Sequence, residues 1–178
     1  MSIEFKVSHE SNLLGQYYSL RERCFRSELG LADFDGSEDQ QDRHGVLLLA
    51  VKEGQCVGGA RISPHITLLS QVELLNLDEE TCCMWERFVI DPAVRTVYLV
   101  REFVSHLIEV SSEHGFQNAM VLSSLRNARF YRRCHTALGV PYHIHRPVPH
   151  LAQGAFSGLE HYLSVSYLDY RLPLRVAV

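Results

Sequence analysis

The sequence predicts an α/β fold of the α+β kind: a mostly antiparallel, twisted sheet with a central strand–helix–strand unit and helices on both faces. Two stretches, 11–28 and 93–113, carry apolar residues at helical spacing. Short apolar runs bounded by Gly, Pro and Asp indicate strands. The order of these elements, a hairpin followed by strand, long helix and buried strand, separates this class from all-helical and all-β folds.

The N-terminal half supplies one helix and one hairpin. Residues 11–28 form the helix, and Gly30 suits its end. Residues 31–44 form an acidic loop. VLLLAV (46–51) and CVGGARIS (56–63) pair across a turn at 53–55. Within the second strand, Gly58 and Gly59 indicate a bulge or a close backbone approach.

The C-terminal half alternates strands and helices. Residues 64–80 are irregular or briefly helical, and MWERFVI (84–90) is a strand stopped by Asp91-Pro92. A long helix over 93–113 leads to a buried strand at 118–124 and a second helix at 125–138, which ends at Gly139. Late strands follow at 140–145 and 161–168.

Composition is that of a single soluble domain over residues 1–178, with 46% apolar and 21% charged residues. No apolar run is long enough to span a membrane, and the N-terminus lacks a secretory pattern, so a cytoplasmic location is expected. Five unpaired cysteines favour reduced thiols. The net charge of −4 gives no reason to expect a nucleic-acid partner.

Glu86 is a candidate catalytic base, because its strand should be buried on at least one face. Strict alternation predicts one face with Trp85, Arg87 and Val89 and another with Glu86, Phe88 and Ile90. A carboxylate among apolar neighbours needs a partner or a chemical role. Arg61 can supply a bidentate partner, so the two residues form either a structural ion pair or a catalytic pair that receives an amine proton.

Four residues nearer the N-terminus complete an ordered set with Arg61 and Glu86. Arg21 and Phe25 are four apart and share one side of the first helix. Taken alone, Phe25 is a core residue, and Asp39 and Asp42 are solvated acids of the loop. Taken together, the six residues lie on a helix, a loop and two strands that can converge on one cleft.

This ordered set resembles the pattern of the acyl-homoserine-lactone (autoinducer) synthases and the related N-acyl amino acid synthases. That family has Arg-x-x-x-Phe, two Asp three apart, an Arg-Leu-Leu-Pro-like strand end and Trp-Glu. The corresponding residues here are Arg21 and Phe25, Asp39 and Asp42, Arg61-Ile-Ser-Pro64, and Trp85-Glu86. The match covers roughly 17–92. It implies the acyltransferase fold called GNAT, whose two central strands splay apart around an acyl thioester, here 84–90 and 118–124.

The resemblance implies an N-acyltransferase of quorum-sensing type that acylates the amine of a small amino-acid-like acceptor. It implies catalytic roles for Glu86 and Arg61 and substrate binding by Arg21, Phe25, Asp39, Asp42, Trp85 and Arg87. Two departures concern the acceptor. Leu31 stands where the family usually has Trp, and Arg87-Phe88 follows Glu86 directly, where the family has two intervening residues. The acceptor is therefore S-adenosylmethionine or a free amino acid.

The donor is expected to be an acyl-phosphopantetheine thioester on acyl carrier protein, rather than acyl-CoA, with no tightly bound cofactor. Acetyltransferases of this fold usually begin the long helix with a glycine-containing motif whose backbone amides hold the CoA pyrophosphate. Here the stretch runs from Arg95 to Val100, and Tyr98 and Val100 replace both glycines. Bulky residues hinder a close approach of the backbone to phosphate.

The helix at 125–138 contributes two further predictions. Its arginines form either a solvated basic face or a docking patch for the acidic carrier protein: Arg126, Arg129, Arg132 and Arg133. Tyr131 lies where related acetyltransferases often place a Tyr that protonates the leaving thiolate. It is either that acid or a packing residue.

Two rival functions and one metal hypothesis complete the predictions. The rivals are a GNAT N-acetyltransferase that uses acetyl-CoA and a non-catalytic acyl-carrier or ligand-binding module of the same fold. His143, His145 and His150 are the best metal candidates among ten histidines. They lack nearby acidic or Cys ligands in sequence, and no metal site is expected.

Overall fold

The computed structural model describes residues 2–64, 66–67, 69–147 and 154–169. Its strands are β1 (Glu4–Val7), β2 (Val46–Lys52), β3 (Gln55–Ser63), β4 (Cys82–Ile90), β5 (Asn118–Ser123), β6 (Tyr142–Pro147) and β7 (Tyr162–Tyr167). Its α-helices are α1 (Ser11–Glu28), α2 (Gln40–His44), α3 (Leu69–Leu74), α4 (Val97–Glu113) and α5 (Leu125–Leu138). Single 3₁₀ turns occur at Glu79–Thr81 and Gly154–Phe156.

The strands form one seven-stranded sheet in the order β1-β2-β3-β4-β5-β7-β6. Among the strands of the described residues, only the central pair, β4 and β5, is parallel, and α4 provides the crossover between them. The mostly antiparallel sheet and its strand–helix–strand unit are therefore confirmed.

Helices cover both faces of the sheet. On one face α4 and α5 pack on a large core that includes Leu48, Ile62 and Phe103. On the other face α1 lies across β3 and β4, and a second core that includes Tyr17 and Leu49 joins it to β2. Alternate residues of β2 serve the two cores, which explains why VLLLAV is apolar throughout. Among the described residues, no helix combines the length and apolar character needed to cross a membrane.

The two central strands diverge, as the resemblance predicted. Trp85 and Val121 form the last paired position of β4 and β5, although β4 continues to Ile90 and β5 to Ser123. The chain therefore has a gap in the middle of its sheet, and this gap opens onto the cavity described below.

Local signals gave most element boundaries. The helices α1 and α5 have the predicted limits. The helix α4 starts at Val97 rather than at residue 93, because the Thr96 side chain accepts a hydrogen bond from the backbone N–H of Leu99 and caps it there. The sequence reading missed β1, and it placed β6 two residues too early.

The predicted alternation along β4 is wrong. Arg61 pairs with Glu86 and Gly59 with Val89, so three steps on β4 match two on β3, which defines a β-bulge. At this bulge Arg87 has a φ of 55°, a left-handed backbone conformation that is unfavourable for a residue with a side chain. Trp85, Phe88 and Ile90 face the core under α4, whereas Val89 faces the core under α1.

Candidate active site

A cavity of about 590 Å³ extends from the gap between β4 and β5. Both strands line it, together with α1 and α5 and the segment near Phe156. Pockets of this size suit small-molecule ligands. The predicted site residues that line it are Phe25, Trp85, Glu86, Arg87 and Tyr131.

Arg61 is the centre of a buried ion-pair network beside the cavity. Its guanidinium is fully buried and donates to Asp39 Oδ1 at 2.7 Å, Asp42 Oδ1 at 2.9 Å and Gln41 Oε1 at 2.9 Å. Two further bonds, from Nη2 at 2.9 Å and Nε at 3.1 Å, reach Glu86 Oε2. Arg61 thereby fixes the position of three carboxylates.

A second buried arginine, Arg21, holds the acidic segment from the side of α1. It pairs with both carboxylate oxygens of Asp42, at 3.0 and 2.7 Å, and donates to the backbone carbonyls of Gly36 and Ser37. Asp39 and Asp42 also form a reciprocal capping box that starts α2. Asp42 is buried and Asp39 half-buried, so neither is the freely solvated acid that each would be if taken alone.

The charges of this network shift its titration. Burial raises the pKa of both aspartates, but the guanidinium groups outweigh burial, Arg61 acting on Asp39 and Arg21 on Asp42. Both pKa values lie below the ordinary one, so both carboxylates stay ionised at neutral pH. Burial lowers the pKa of Arg61, but Glu86 and Asp39 raise it further, which keeps Arg61 cationic.

Glu86 combines a fixed position with a free oxygen. Its side chain is 18% exposed and lines the cavity. Oε2 accepts both bonds from Arg61, while Oε1 accepts no hydrogen bond from the described residues. A carboxylate held at one oxygen and open at the other can accept a proton from a bound ligand or a water.

The bulge places Arg87 beside Glu86 at the cavity. Its guanidinium lies over the rings of Phe34 and Phe156, and its nearest acid is Asp39, at 3.9 Å. Its backbone carbonyl accepts a 2.9 Å bond from the buried Tyr17 hydroxyl. Close packing at Gly59 supports this arrangement, because a Cβ there would overlap the Tyr17 ring. The close approach to the backbone that Gly58 and Gly59 predicted is therefore found at Gly59, where the Tyr17 ring packs against it.

Two predicted aromatic residues line the cavity in different ways. Phe25 forms ring contacts with Phe34 at 5.1 Å and Phe156 at 6.0 Å. Trp85 is buried on the opposite face of the sheet from the ion-pair network, and its indole N–H donates to Ser111 Oγ at 2.9 Å. The indole N–H of Trp85 is thus occupied within the core, and only its cavity-lining surface is open to a substrate.

Tyr131 lies on α5 where the cavity meets β5. Its ring packs 6.0 Å from that of Phe88. Burial raises its pKa above the ordinary value, so the hydroxyl is protonated at neutral pH.

The four α5 arginines point outward. Arg126, Arg129, Arg132 and Arg133 are all exposed, and none forms an ion pair with the part of the chain that the structure describes. Arg133 lies over the Phe130 ring at 5.8 Å.

The start of α4 offers little to a pyrophosphate. Arg95 is engaged by Glu28, through bonds of 2.8 and 2.7 Å, and by the Ile90 carbonyl. Thr96 already caps one of the free N–H groups, and Tyr98 projects into solvent. The Arg95 guanidinium and the backbone N–H of Leu99 are therefore already hydrogen-bonded, and the Tyr98 side chain adds bulk where a phosphate would approach.

No group of His, Cys, Asp and Glu within the described ranges has the geometry of a metal site. His143 and His145 have ring centroids 6.4 Å apart, whereas His150 lies outside the described residues.

The sequence reading missed three residues of the site. Gln41 lies between the two aspartates in sequence and accepts a hydrogen bond from Arg61. Its position inside the Asp-x-x-Asp motif could have identified it as a residue of the site. Phe34 and Phe156 enclose Arg87, but they are distant along the chain and no sequence pattern linked them.

Comparison with known proteins places this site in a family. The chain belongs to the acetyltransferase (GNAT) family, whose model matches residues 14–135. It is thus an acyltransferase of GNAT type. No curated protein sequence matches the chain.

Solved structures agree with the fold. A putative N-acetyltransferase from Lactobacillus plantarum has a TM-score of 0.69 at 15% identity, covering 94% of this chain and 99% of that one. The AHL synthase LasI has a TM-score of 0.63 at 18% identity, covering 93% and 88%. BjaI, a CoA-dependent acyl-homoserine lactone synthase with SAM and isopentyl-CoA, has a TM-score of 0.66 at 19% identity, covering 94% and 81%. At these identities the likeness shows the fold alone.

Proposed function

We propose that the protein is an N-acyltransferase of the autoinducer-synthase type, which transfers a fatty acyl group from a carrier-protein thioester to the amine of a small amino-acid-like acceptor. The observation that carries this proposal is the geometry of Glu86. One carboxylate oxygen is clamped by Arg61, and the other is open to a cavity at the gap between β4 and β5. A base fixed beside a thioester slot is what amine acylation requires.

The reaction has one bond-forming and one bond-breaking event. The acceptor nitrogen attacks the thioester carbonyl carbon, and a C–N bond forms as the C–S bond breaks. An acceptor bound as an ammonium first releases one proton to solvent through water, and the attacking nitrogen passes a second proton to Glu86 Oε1, directly or through a water. The departing thiolate takes a proton from the Tyr131 hydroxyl, which then recovers one from solvent; the position of Tyr131 at the cavity supports this role.

Arg61, Arg21, Asp39 and Asp42 support this chemistry from outside the reacting atoms. Arg61 orients Glu86, and the two aspartates and Arg21 hold Arg61 in turn. A charge held by several fixed partners does not have to reorganise during reaction. Phe25 and the apolar part of the cavity wall supply surface for the acyl chain.

Carrier protein rather than CoA is favoured as the source of the thioester. The engaged Arg95 and the exposed Tyr98 leave no open cradle for a pyrophosphate at the start of α4. The exposed arginines of α5 offer a basic surface to an acidic carrier, and such patches act mainly on the encounter rate. A carrier-bound donor also implies a cytoplasmic reaction. We propose an acylated amino-acid derivative as the product, with a role in quorum sensing.

The test combines a substrate panel with one variant. The purified protein is incubated with acyl-carrier-protein and acyl-CoA thioesters and with S-adenosylmethionine or free amino acids, and products are read by mass spectrometry. We expect an acylated amine, and we expect Glu86→Gln to lower kcat about 10²- to 10⁴-fold, the usual contribution of a positioned base. Glu113→Gln, an exposed position on α4, is the control and should keep full activity. Absence of product with every pair would refute the proposal.

An acetyltransferase that uses acetyl-CoA is the second candidate, favoured by the match of residues 14–135 to the acetyltransferase (GNAT) family model. Titration calorimetry with CoA separates the two, because the carrier-dependent enzyme should bind free CoA weakly. Carrier binding without thiol release would instead indicate a non-catalytic module.

A further inference from the structure

One arginine of the site, Arg87, lacks a hydrogen-bonded partner among the described residues. Arg21 and Arg61 use their guanidinium groups fully on carboxylates, carbonyls and an amide. The Arg87 guanidinium makes no hydrogen bond with the described residues, and its Nε is shielded from solvent without a partner. Its nearest carboxylate oxygen, on Asp39, is 3.9 Å away, which is beyond hydrogen-bond distance.

The surroundings of Arg87 hold its position but do not satisfy its donors. The rings of Phe34 and Phe156 lie 5.6 and 4.6 Å from its central carbon, and its side chain is 23% exposed. Aromatic faces attract a cation but accept no strong hydrogen bond from all five N–H groups. Burial, and then the charge of Arg61, lower the pKa of Arg87, which reflects a cation short of counter-charge.

The bulge brings Arg87 next to the proposed base. In a regular strand the side chains of residues 86 and 87 would point to opposite faces. Here the extra residue in β4 goes with an Arg87 side chain directed to the network that holds Glu86, since its guanidinium lies 3.9 Å from Asp39, and Asp39 and Glu86 share Arg61. A carboxylate with a free oxygen and a guanidinium with free donors therefore adjoin each other.

From this juxtaposition we propose that Arg87 is the subsite for the carboxylate of the acceptor, which is therefore a zwitterionic α-amino acid with a free carboxylate. The amine of the same acceptor faces Glu86. This inference rests on the proposed function, because it specifies the acceptor of that reaction. The planar guanidinium matches a carboxylate in a bidentate geometry.

The charge of the site favours a carboxylate over a phosphate. Three guanidinium groups face three carboxylates, on Asp39, Asp42 and Glu86, so the empty site is close to neutral. A zwitterion keeps it neutral, with its ammonium towards Glu86 and its carboxylate towards Arg87. A phosphate dianion would add two negative charges within reach of Asp39 and Glu86, where like charges repel.

The test uses matched acceptors that differ only at the carboxylate. Binding of S-adenosylmethionine, of free α-amino acids and of the carboxamide of each is measured by calorimetry on the intact protein, for the wild type and for Arg87→Gln. In the wild type we expect the carboxamide of each bound amino acid to bind at least about tenfold more weakly, since hydrogen bonds to charged groups are strong. In Arg87→Gln the two should bind within about twofold.

Two further variants keep the measurement interpretable. Arg87→Lys retains the charge but not the planar fork, and it should recover part of the discrimination. Arg43→Gln removes an exposed arginine of α2 and should leave the discrimination unchanged. The guanidinium of Arg87 makes no hydrogen bond with the described residues, so its removal should not prevent folding, which a thermal melt verifies.

The outcomes separate this inference from the proposed function. Equal wild-type binding of acid and carboxamide, equal losses for both in Arg87→Gln, or no binding of any α-amino acid would overturn the carboxylate subsite. An acylation assay with the same pairs tests the function itself. Acyl product without carboxylate discrimination would leave the function standing and reject the subsite. Discrimination between acid and carboxamide in binding, without any acyl product, would support the subsite and reject the proposed function.

Discussion

Replacing Asp42 with asparagine tests whether the buried network is an ion-pair system. Asp42 is fully buried and accepts two bonds from Arg21, one from Arg61 and one from the backbone N–H of Asp39. Asn keeps the shape but removes the charge and turns one acceptor into a donor that faces guanidinium groups. Two buried cations are then short of counter-charge.

The expected loss is large for a single substitution. Breaking a buried ion pair by removing one partner costs about 3–5 kcal/mol. For a domain of this size, about 2–4 °C of Tm accompanies each kcal/mol, so we expect Tm to fall by about 6–20 °C. Asp39 and Glu86 remain as partners of Arg61, which favours the lower part of that range.

The assay is urea and thermal unfolding followed by circular dichroism. Asp33→Asn is the matched control, since Asp33 is an exposed acid in the segment before α2 and its replacement should leave the midpoint unchanged. A loss of less than about 1 kcal/mol in Asp42→Asn would refute the network as a determinant of stability. Equal losses in both variants would show that the effect is one of net charge.

Three other predictions concern pH, packing and the carrier. The pKa values of Asp39 and Asp42 lie below the ordinary one, so the stability that their ionised forms contribute is complete above about pH 4–5 and is lost as pH falls through the lowered values. The urea midpoint should therefore fall as the pH is lowered below that window, and it should fall less steeply in Asp42→Asn. Gly59→Ala adds a Cβ that would overlap the Tyr17 ring and should lower the free energy of unfolding by about 1–3 kcal/mol. Gly15→Ala adds a Cβ in open space on α1 and should raise the free energy of unfolding by about 0.5–1 kcal/mol. Equal effects of the two substitutions in urea unfolding would contradict this packing. Reversing Arg126, Arg129 and Arg133 to Glu should raise KM for acyl-carrier protein but not for acyl-pantetheine, and added salt should weaken wild-type carrier kinetics in the same way; a loss with both donors would argue against docking.

The fold was largely readable because its signals are local. Helical spacing and the flanking glycines gave α1 and α5 their boundaries. The strand β1 was missed because Glu4–Val7 is only four residues long and is stabilised by pairing with β2, more than forty residues away. Pairing over such a distance leaves no trace in a short stretch of sequence.

The site was only partly readable for the same reason. The order of Arg21, Asp39, Asp42, Arg61 and Glu86 predicted that they converge, and the structure joins them in one hydrogen-bonded network. The roles of these residues in binding or catalysis remain predictions. Alternation failed at Arg87, because a bulge is set by the partner strand and by packing rather than by local propensity.

The sequence by itself determined the order of helices and strands, the turn and cap residues, and the set of charged residues that a GNAT-type site could use. These features depend on contacts within a few residues, which periodicity and capping report. Only the tertiary structure decided that Arg61 is shared by three carboxylates and that Arg87 lies near them without a hydrogen bond to the described residues. Both facts depend on the register of β4 against β3 and on the Tyr17 hydroxyl, seventy residues from Arg87, and register is fixed by long-range packing.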